Sequence, residues 1–407
     1  QAQLMKRRGG VGYDLSQLRP RGAKVNNAAR SSTGAASFMD VCSDITNEVA
    51  QNGRRGALML SMSINHPDIE EFITKKQDLT KVTGANISVK VTDEFMQAVE
   101  NDKDYILRFP VDESVPQGLM IEEMPYNELW FFSDDDHPNS FFKKVRAREL
   151  WNTLMHCAWN TAEPGIMFEG AMHNYSPDGV YPDFKMVGTN PCGEIPMGPF
   201  DSCRLIHINL SSYIVDPFTD KAHIDEELLY MHSYEAMRLA DDLVDLEIEA
   251  VDRIINTVKN DTDDTEFKLW SKIKETAIQG RRAGLGFTGL ADAIAMLGLK
   301  YDSDEGIAEV EKMMSIIFQS TLQCSIELAE QRGAFPAFDA NLERGYANDW
   351  YKWLLNTYPF LAGQMSISGR RNISWLTVAP TGTTSIMTQT SSGIEPVFLP
   401  WYKRRRK

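Results

Sequence analysis

"GTNPCGEIPMGPFDSC", residues 188–203, sets Asn190, Cys192 and Glu194 at alternate positions and adds a second thiol, Cys203, eleven residues after the first. In extended backbone, side chains two apart fall on one side, so an amide, a thiol and a carboxylate would share one cavity. Pro191 restrains Asn190 to the extended region, and Gly193 admits a tight bend. Such a set suits a reactive sulfur flanked by a hydrogen-bond donor and a base. A surface turn with an incidental thiol has the same residues, because Asn-Pro and Gly are common in turns. A thiolate hydrolase would need a His base, for which His173 and His207 are available, but no local protease signature accompanies them. A zinc site wants cysteines two to four residues apart, and the spacing of Cys192 and Cys203 does not supply that. No metal site is expected.

Outward from this loop, strands alternate with helices. "ALMLSMSI" (57–64), "ANISVKV" (85–91), "YILRFPV" (105–111), "RLIHINL" (204–210) and "ISWLTVA" (373–379) read as strands. Asp68 and Thr92 stand at expected helix starts, and long amphipathic helices are expected over 225–258 and 304–331, the second closed by Gly333. Residues 112–145, with "SDDDHPNS", read as an irregular surface excursion. The alternation points to an α/β fold with a largely parallel sheet.

The chain has 407 residues, 43% hydrophobic and 24% charged, enough for a large core. A net charge of −15 argues against a general nucleic-acid or membrane-surface binder, and the terminal "WYKRRRK" reads as a solvated tail. Five cysteines without a C-x-x-C pair suit a reducing, cytoplasmic setting. No segment approaches the roughly 20 apolar residues of a membrane span. The chain opens without an initiator Met and ends on a charge run, so a fragment of a longer protein is expected.

Three further motifs carry chemistry or imitate it. "APTGTTS" (379–385) follows a strand-like run and gathers Pro380, Thr381, Gly382, Thr383, Thr384 and Ser385. Hydroxyls and N–H groups at a helix start form a phosphate seat, and an ordinary capped loop has the same composition. It lacks the Lys of a P-loop. "GLGFTG" (284–289) matches G-x-G-x-x-G, yet a polar helix precedes it where a buried strand should, so its glycines are expected to permit close helix packing. "QNGRRG" (51–56) puts Arg54 and Arg55 on a flexible loop, suited to phosphate or nucleobase contacts or simply solvated.

Taken in order, "RRGGVGYDLSQLRPRG", "QNGRRGALMLSMSINHPDIEEF", "NPCGEIP", "DSCRLIHINLSSY", "GRRAGLGFTGLADAIAMLG" and "APTGTTS…SSGIEPVF" resemble the catalytic subunit of ribonucleotide reductases along almost the whole chain. The resemblance implies a ten-stranded α/β barrel, incomplete here, forming one catalytic domain over 1–407 with the Cys192 loop threading its centre. It implies that Cys192 becomes a thiyl radical abstracting the ribose 3′ hydrogen, Glu194 takes the 3′-hydroxyl proton, and Asn190 hydrogen-bonds the ribose hydroxyls. Cys203 would be one of two thiols that reduce the 2′ carbon and end as a disulfide. The other lies upstream of "GGVGYD" in the family, a place that Cys42, Cys157 and Cys324 do not occupy.

By the same likeness, residues 380–385 and Arg55 would hold a ribonucleotide, a diphosphate. Lys24, Arg30, Gln51, Asn52, Gly53 and Arg54 would lie on loops that link a dNTP specificity effector to the substrate. "NPCGE" and "GGVGYDLSQLRP" are most similar to the adenosylcobalamin-dependent class, which implies that cofactor, a thioredoxin-like or dithiol reductant and a homodimer. A class I large subunit served by a separate radical-generating protein, and a nucleotide-binding fragment without chemistry, remain the alternatives.

Overall fold

"ALMLSMSI" is apolar apart from two small serines, Ser61 and Ser63, which suits a strand covered on both faces in a parallel sheet. The structure, a computed structural model, describes residues 1–26, 28–49, 56–345, 348–397, 399, 401 and 403. In it Leu58–Ser63 is a strand buried along its whole length. The chain divides into two compact units, Gln1–His173 with Met186–Met197, and Asn174–Lys185 with Gly198–Lys407.

The first unit holds β1 (Val11–Asp14), β2 (Leu58–Ser63), β3 (Asn86–Val91), β4 (Asp104–Phe109), β5 (Leu129–Phe132), β6 (Ser140–Arg146), β7 (Gly165–Phe168), β8 (Gly188–Thr189) and β9 (Pro196–Met197). Strands β1, β2, β3 and β7 pair in that order, all parallel. Helices Ile69–Thr74, Asp93–Glu100 and Ala147–Thr161 bury Phe72, Phe95 and Leu154 in one cluster with Leu60, Met62 and Val89. Each such side chain contributes about 1.5–3 kcal/mol.

The two expected helix starts behave differently. Thr92 Oγ1 accepts from Phe95 N at 3.2 Å, an ordinary cap. The Asp68 carboxylate makes no bond to its own helix. It accepts instead from the N–H groups of Arg21 (3.0 Å) and Ala35 (2.8 Å). Ala35 is fully buried, so its amide has lost water as a partner and claims the carboxylate.

Residues 112–145 are more regular than expected. Strands β4, β6 and β5 form an antiparallel sheet in that order, with Phe142 buried against Ile106, Leu119 and Met124. The connection from β4 to β5, apart from a short 3-10 turn at Ile121–Glu123, and the acidic stretch between β5 and β6 are irregular. Lys144 disguised its strand: it is buried, yet its ammonium reaches the Ile121 carbonyl (3.0 Å) and lies over the Tyr126 ring.

The second unit holds β10 (Leu205–Asn209), β11 (Ile214–Val215), β12 (His223–Ile224) and β13 (Gly284–Thr288). β10 and β13 run parallel, with Leu205 opposite Gly284. Among the described residues "ISWLTVA" makes one bridge, Leu285 to Leu376, flanked by Leu285 N to Trp375 O (2.7 Å), Thr377 N to Leu285 O (3.0 Å) and Ala283 N to Ser374 O (2.9 Å). "GLGFT" is thus a central strand, and its glycines do not serve helix packing. A Cβ on Gly284 would overlap Cys203 Sγ, so the missing side chain makes room for that thiol. Helices Glu226–Val258 and Asp304–Arg332 form as expected, with Asp225 capping the first through Leu228 N (3.0 Å). They share a core of Leu229, Met237, Phe287, Ile317 and Leu328, with Cys324 inside it.

Among the described residues the strands form five sheets, none closed on itself. No helix there is long and apolar enough to cross a membrane.

Arg282, 1% exposed just ahead of β13, is bound by Asp178 and by Asp201 (2.6 Å). Arg282→Met would leave two buried carboxylates without their cation. A loss of about 3–5 kcal/mol in urea unfolding is expected, and one below about 1 kcal/mol would show the pairs to be dispensable.

Candidate active site

Strands β8 and β9 pair Gly188 with Met197 and Thr189 with Pro196, leaving 190–195 as the connecting loop. Extended alternation does not gather its polar groups, contrary to expectation. A turn does: Gly193 N donates to Asn190 O at 3.0 Å, with Pro191 in the turn position that its fixed φ favours. Gly193 has φ +86 with open space where a Cβ would stand, which lets the chain fold back at the apex. Asn190 then uses both ends of its amide. Its oxygen accepts from Ile195 N (3.1 Å) and its nitrogen donates to Glu194 Oε2 (2.6 Å).

Cys192 lies between these partners, exposed where enclosure was expected, because the open turn carries it outward. Its sulfur is nonetheless partly shielded. Desolvation, and then the negative charge of Glu194, push the thiol up from its ordinary range. Cys192 therefore keeps its proton at neutral pH, unlike the thiolates of cysteine hydrolases.

Cys203 belongs to the second unit and is half-buried. The backbone around it is held by charge. Asp201 pairs with Arg282, Arg204 pairs with Glu247, and Ser202 Oγ donates to Glu247 at 3.0 Å. Arg204 also donates to the Arg282 carbonyl at 2.9 Å. Arg282 and Glu247 went unrecognised in the sequence because each lies more than forty residues from the thiol they support.

In "PTGTTS", helix Gly382–Thr388 follows Thr381. Pro380, Gly382 and Thr383 are exposed and Thr384 is half-buried, while Thr381 and Ser385 are buried. The Thr381 hydroxyl lies 2.9 Å from that of Thr288 and accepts from Gly393 N at 2.8 Å. Thr288 and Gly393 come from "GLGFTG" and "SSGIEP", so these motifs support the turn from afar. Thr383 and Thr384, with the amides beside them, are the groups left open to a ligand.

Lys24 and Arg30 are exposed on a small antiparallel loop, with Lys24 bridged to Ser31 and Val25 N donating to Arg30 O at 3.0 Å. Arg55, Gln51, Asn52, Gly53 and Arg54 lie outside the described residues.

Residues 1–407 match the family described as "Ribonucleotide reductase, barrel domain". The chain is 34% identical over 404 residues to a vitamin B12-dependent ribonucleoside-diphosphate reductase of Thermoplasma acidophilum, covering 98% of this chain and 43% of that protein. It is 31% identical over 400 residues to a protein of the same description from Mycobacterium tuberculosis, covering 98% and 47%. With a ribonucleoside-diphosphate reductase subunit alpha of Synechocystis sp. it shares 25% identity over 433 residues, covering 98% and 50%. The chain spans about half the length of the curated relatives it matches. With its mixed α/β architecture and its match over the whole length, the chain belongs to the ribonucleotide reductase barrel-domain family.

Proposed function

We propose that this chain is the catalytic part of a cobalamin-dependent ribonucleoside-diphosphate reductase, with residues 1–407 forming one catalytic domain. The observation that carries the reading is the turn at 190–195. It sets a proton-retaining thiol between an amide and a carboxylate that are already hydrogen-bonded to one another. Hydrogen-atom chemistry needs S–H at Cys192, which is the form this environment favours.

In the proposed reaction Cys192, as thiyl, takes the ribose 3′ hydrogen and later returns it. Glu194 accepts the 3′-hydroxyl proton, within hydrogen-bond reach of a sugar seated on the turn. Asn190 orients the hydroxyls. Cys203 and a second thiol supply two electrons and two protons, ending as a disulfide while the 2′ oxygen leaves as water. Thr383, Thr384 and the N–H groups of their turn, with Pro380, Thr381, Gly382 and Ser385 shaping it, would take the phosphates, and Arg55 would reach the same substrate.

The vitamin B12-dependent relatives support adenosylcobalamin as the cofactor, and the exposed Cys192 beside open space at Gly193 fits a bulky group approaching the sulfur. That group would supply the radical that removes the thiol hydrogen. A dNTP effector near Lys24, Arg30 and 51–54, a thioredoxin-like or dithiol reductant, a homodimer and a cytoplasmic setting complete the proposal.

The first test is deoxynucleotide formation by the full-length protein with a dithiol, with and without adenosylcobalamin and with no second protein. Cobalamin-dependent turnover that Cys192→Ser abolishes, with nucleotide binding intact, is the expected result. Turnover only after a separate radical-generating protein is added would assign class I. Binding without turnover under either condition would leave a nucleotide-binding protein.

In Cys203→Ser, product formation should stop while tritium still leaves 3′-labelled substrate, and retention of all tritium would contradict its role. Alkylation of Cys192 by iodoacetamide, followed by mass spectrometry, should have its pH midpoint above the ordinary thiol value of about 8.5. Glu194→Gln removes a negative neighbour, so the thiolate becomes easier to form and the midpoint falls. No fall in that variant would show the carboxylate to be electrostatically remote.

A further inference from the structure

Two polar side chains of β3 reach the Cys192 loop. Asn86 Nδ2 donates to the Pro191 carbonyl at 2.9 Å, in the peptide that joins Pro191 to Cys192. Lys90, 5% exposed, puts Nζ 3.3 Å from the Val187 carbonyl just ahead of β8. The same ammonium is 3.1 Å from Asp14 of β1 and 3.8 Å from Glu169. Strand β1 contributes an absence. A Cβ on Gly12 would overlap the Thr189 carbonyl, and one on Gly10 would stand 2.8 Å from Pro191 Cγ. The loop therefore lies directly on β1 and is tied to β3 at its entry and at its apex.

Bonds within the loop cannot do this work. Gly193 to Asn190 and Asn190 to Glu194 set the loop's shape, but they leave its placement on the sheet undetermined. The ladder of β1, β2, β3 and β7 is made by backbone, so neither Asn86 nor Lys90 is needed to pair the strands.

We propose that Asn86 is a positioning residue for Cys192, its amide fixing the peptide in front of the sulfur, with Lys90 anchoring the entry of the same loop. This rests on the reading of Cys192 as the radical-bearing residue. Hydrogen-atom transfer requires the reacting atoms in near contact, and a displacement of about 1 Å can cost roughly 10²-fold in rate. Sγ stands two bonds from the Cys192 Cα, which the Pro191 peptide plane includes. A tie on that carbonyl therefore acts directly on where the sulfur sits.

The test is Asn86→Asp in the full-length protein, which keeps the size but turns a donor toward Pro191 O into an acceptor. Asn86 is exposed, so the fold does not depend on it. The turnover number should fall about 10- to 100-fold with KM for the nucleotide and the urea midpoint unchanged. Hydrogen exchange at the amides of 190 and 192–195 should speed up about 5-fold while β2 keeps its rate. Unchanged kcat with unchanged exchange overturns the proposal, and a loss carried by KM overturns it too, moving Asn86 to substrate binding.

Cys192→Ser, assayed alongside, separates the two levels. Turnover in that variant sinks the reading of Cys192 itself. Silence in Cys192→Ser with full kcat in Asn86→Asp sinks the positioning role alone. The exchange measurement reports on the tie whether or not any variant turns over.

Discussion

Charge taken out of water has to be matched where it lies, and most of the polar architecture of this chain follows from that requirement. Asp241, fully buried on helix Glu226–Val258, collects Arg281, Arg332, Arg371 and Asn372. Arg370, equally buried, meets Glu343 and is ringed by Phe335, Trp350 and Trp375. Arg282 spans Asp178 and Asp201, and Lys90 spans Asp14 and the Val187 carbonyl. Asp241, Asp242 and Asp245 come close enough together to suggest a cation site. Arg281 and Arg332 occupy their charge instead. These pairs fix loops as well as helices, and the two cysteine segments are among the loops they hold.

The two segments are built differently. Around Cys203, ion pairs from Arg282 and Glu247 grip the backbone on either side, and Gly284 leaves space for the sulfur. Around Cys192, an amide and a carboxylate are bonded to each other, which keeps negative charge near the sulfur. A thiolate nucleophile wants the opposite surroundings, a His or a positive end. The proposed removal and return of a hydrogen atom draws on these surroundings, which raise the thiol above its ordinary range.

Much of the fold was legible because it rests on local signals. Thr92 caps its helix, Asp225 caps another, and β2, apolar apart from two small serines, announces a strand covered on both faces. Where the reading failed, a distant partner outbid a local one. Asp68 stands where a cap belongs but serves the buried amide of Ala35. Lys144 makes a strand look like surface because its aliphatic stem is buried while its ammonium finds Ile121 O. "GLGFT" opens on glycine and has one β-branched residue, Thr288, and Gly284 leaves room for the Cys203 sulfur, which a Cβ there would overlap.

The sequence by itself determined which groups stand as candidates and in what order: Asn190, Cys192, Glu194, Cys203 and the hydroxyls of 381–385 were singled out from residue type and spacing, and their proposed roles came from the family resemblance. Only the tertiary structure decided how they are held. The three groups at 190–194 meet through a turn and not through strand alternation, since one backbone bond from Gly193 to Asn190 closes the loop. Thr381 is turned inward by Thr288 and Gly393, leaving Thr383 and Thr384 outward. Asn86 and Lys90, read from the sequence only as part of a strand, proved to touch the cysteine loop and the carbonyl just ahead of β8, each about a hundred residues away. Contacts at that separation leave no periodicity or spacing in the chain, because they are chosen by which buried groups must find partners once the strands have come together.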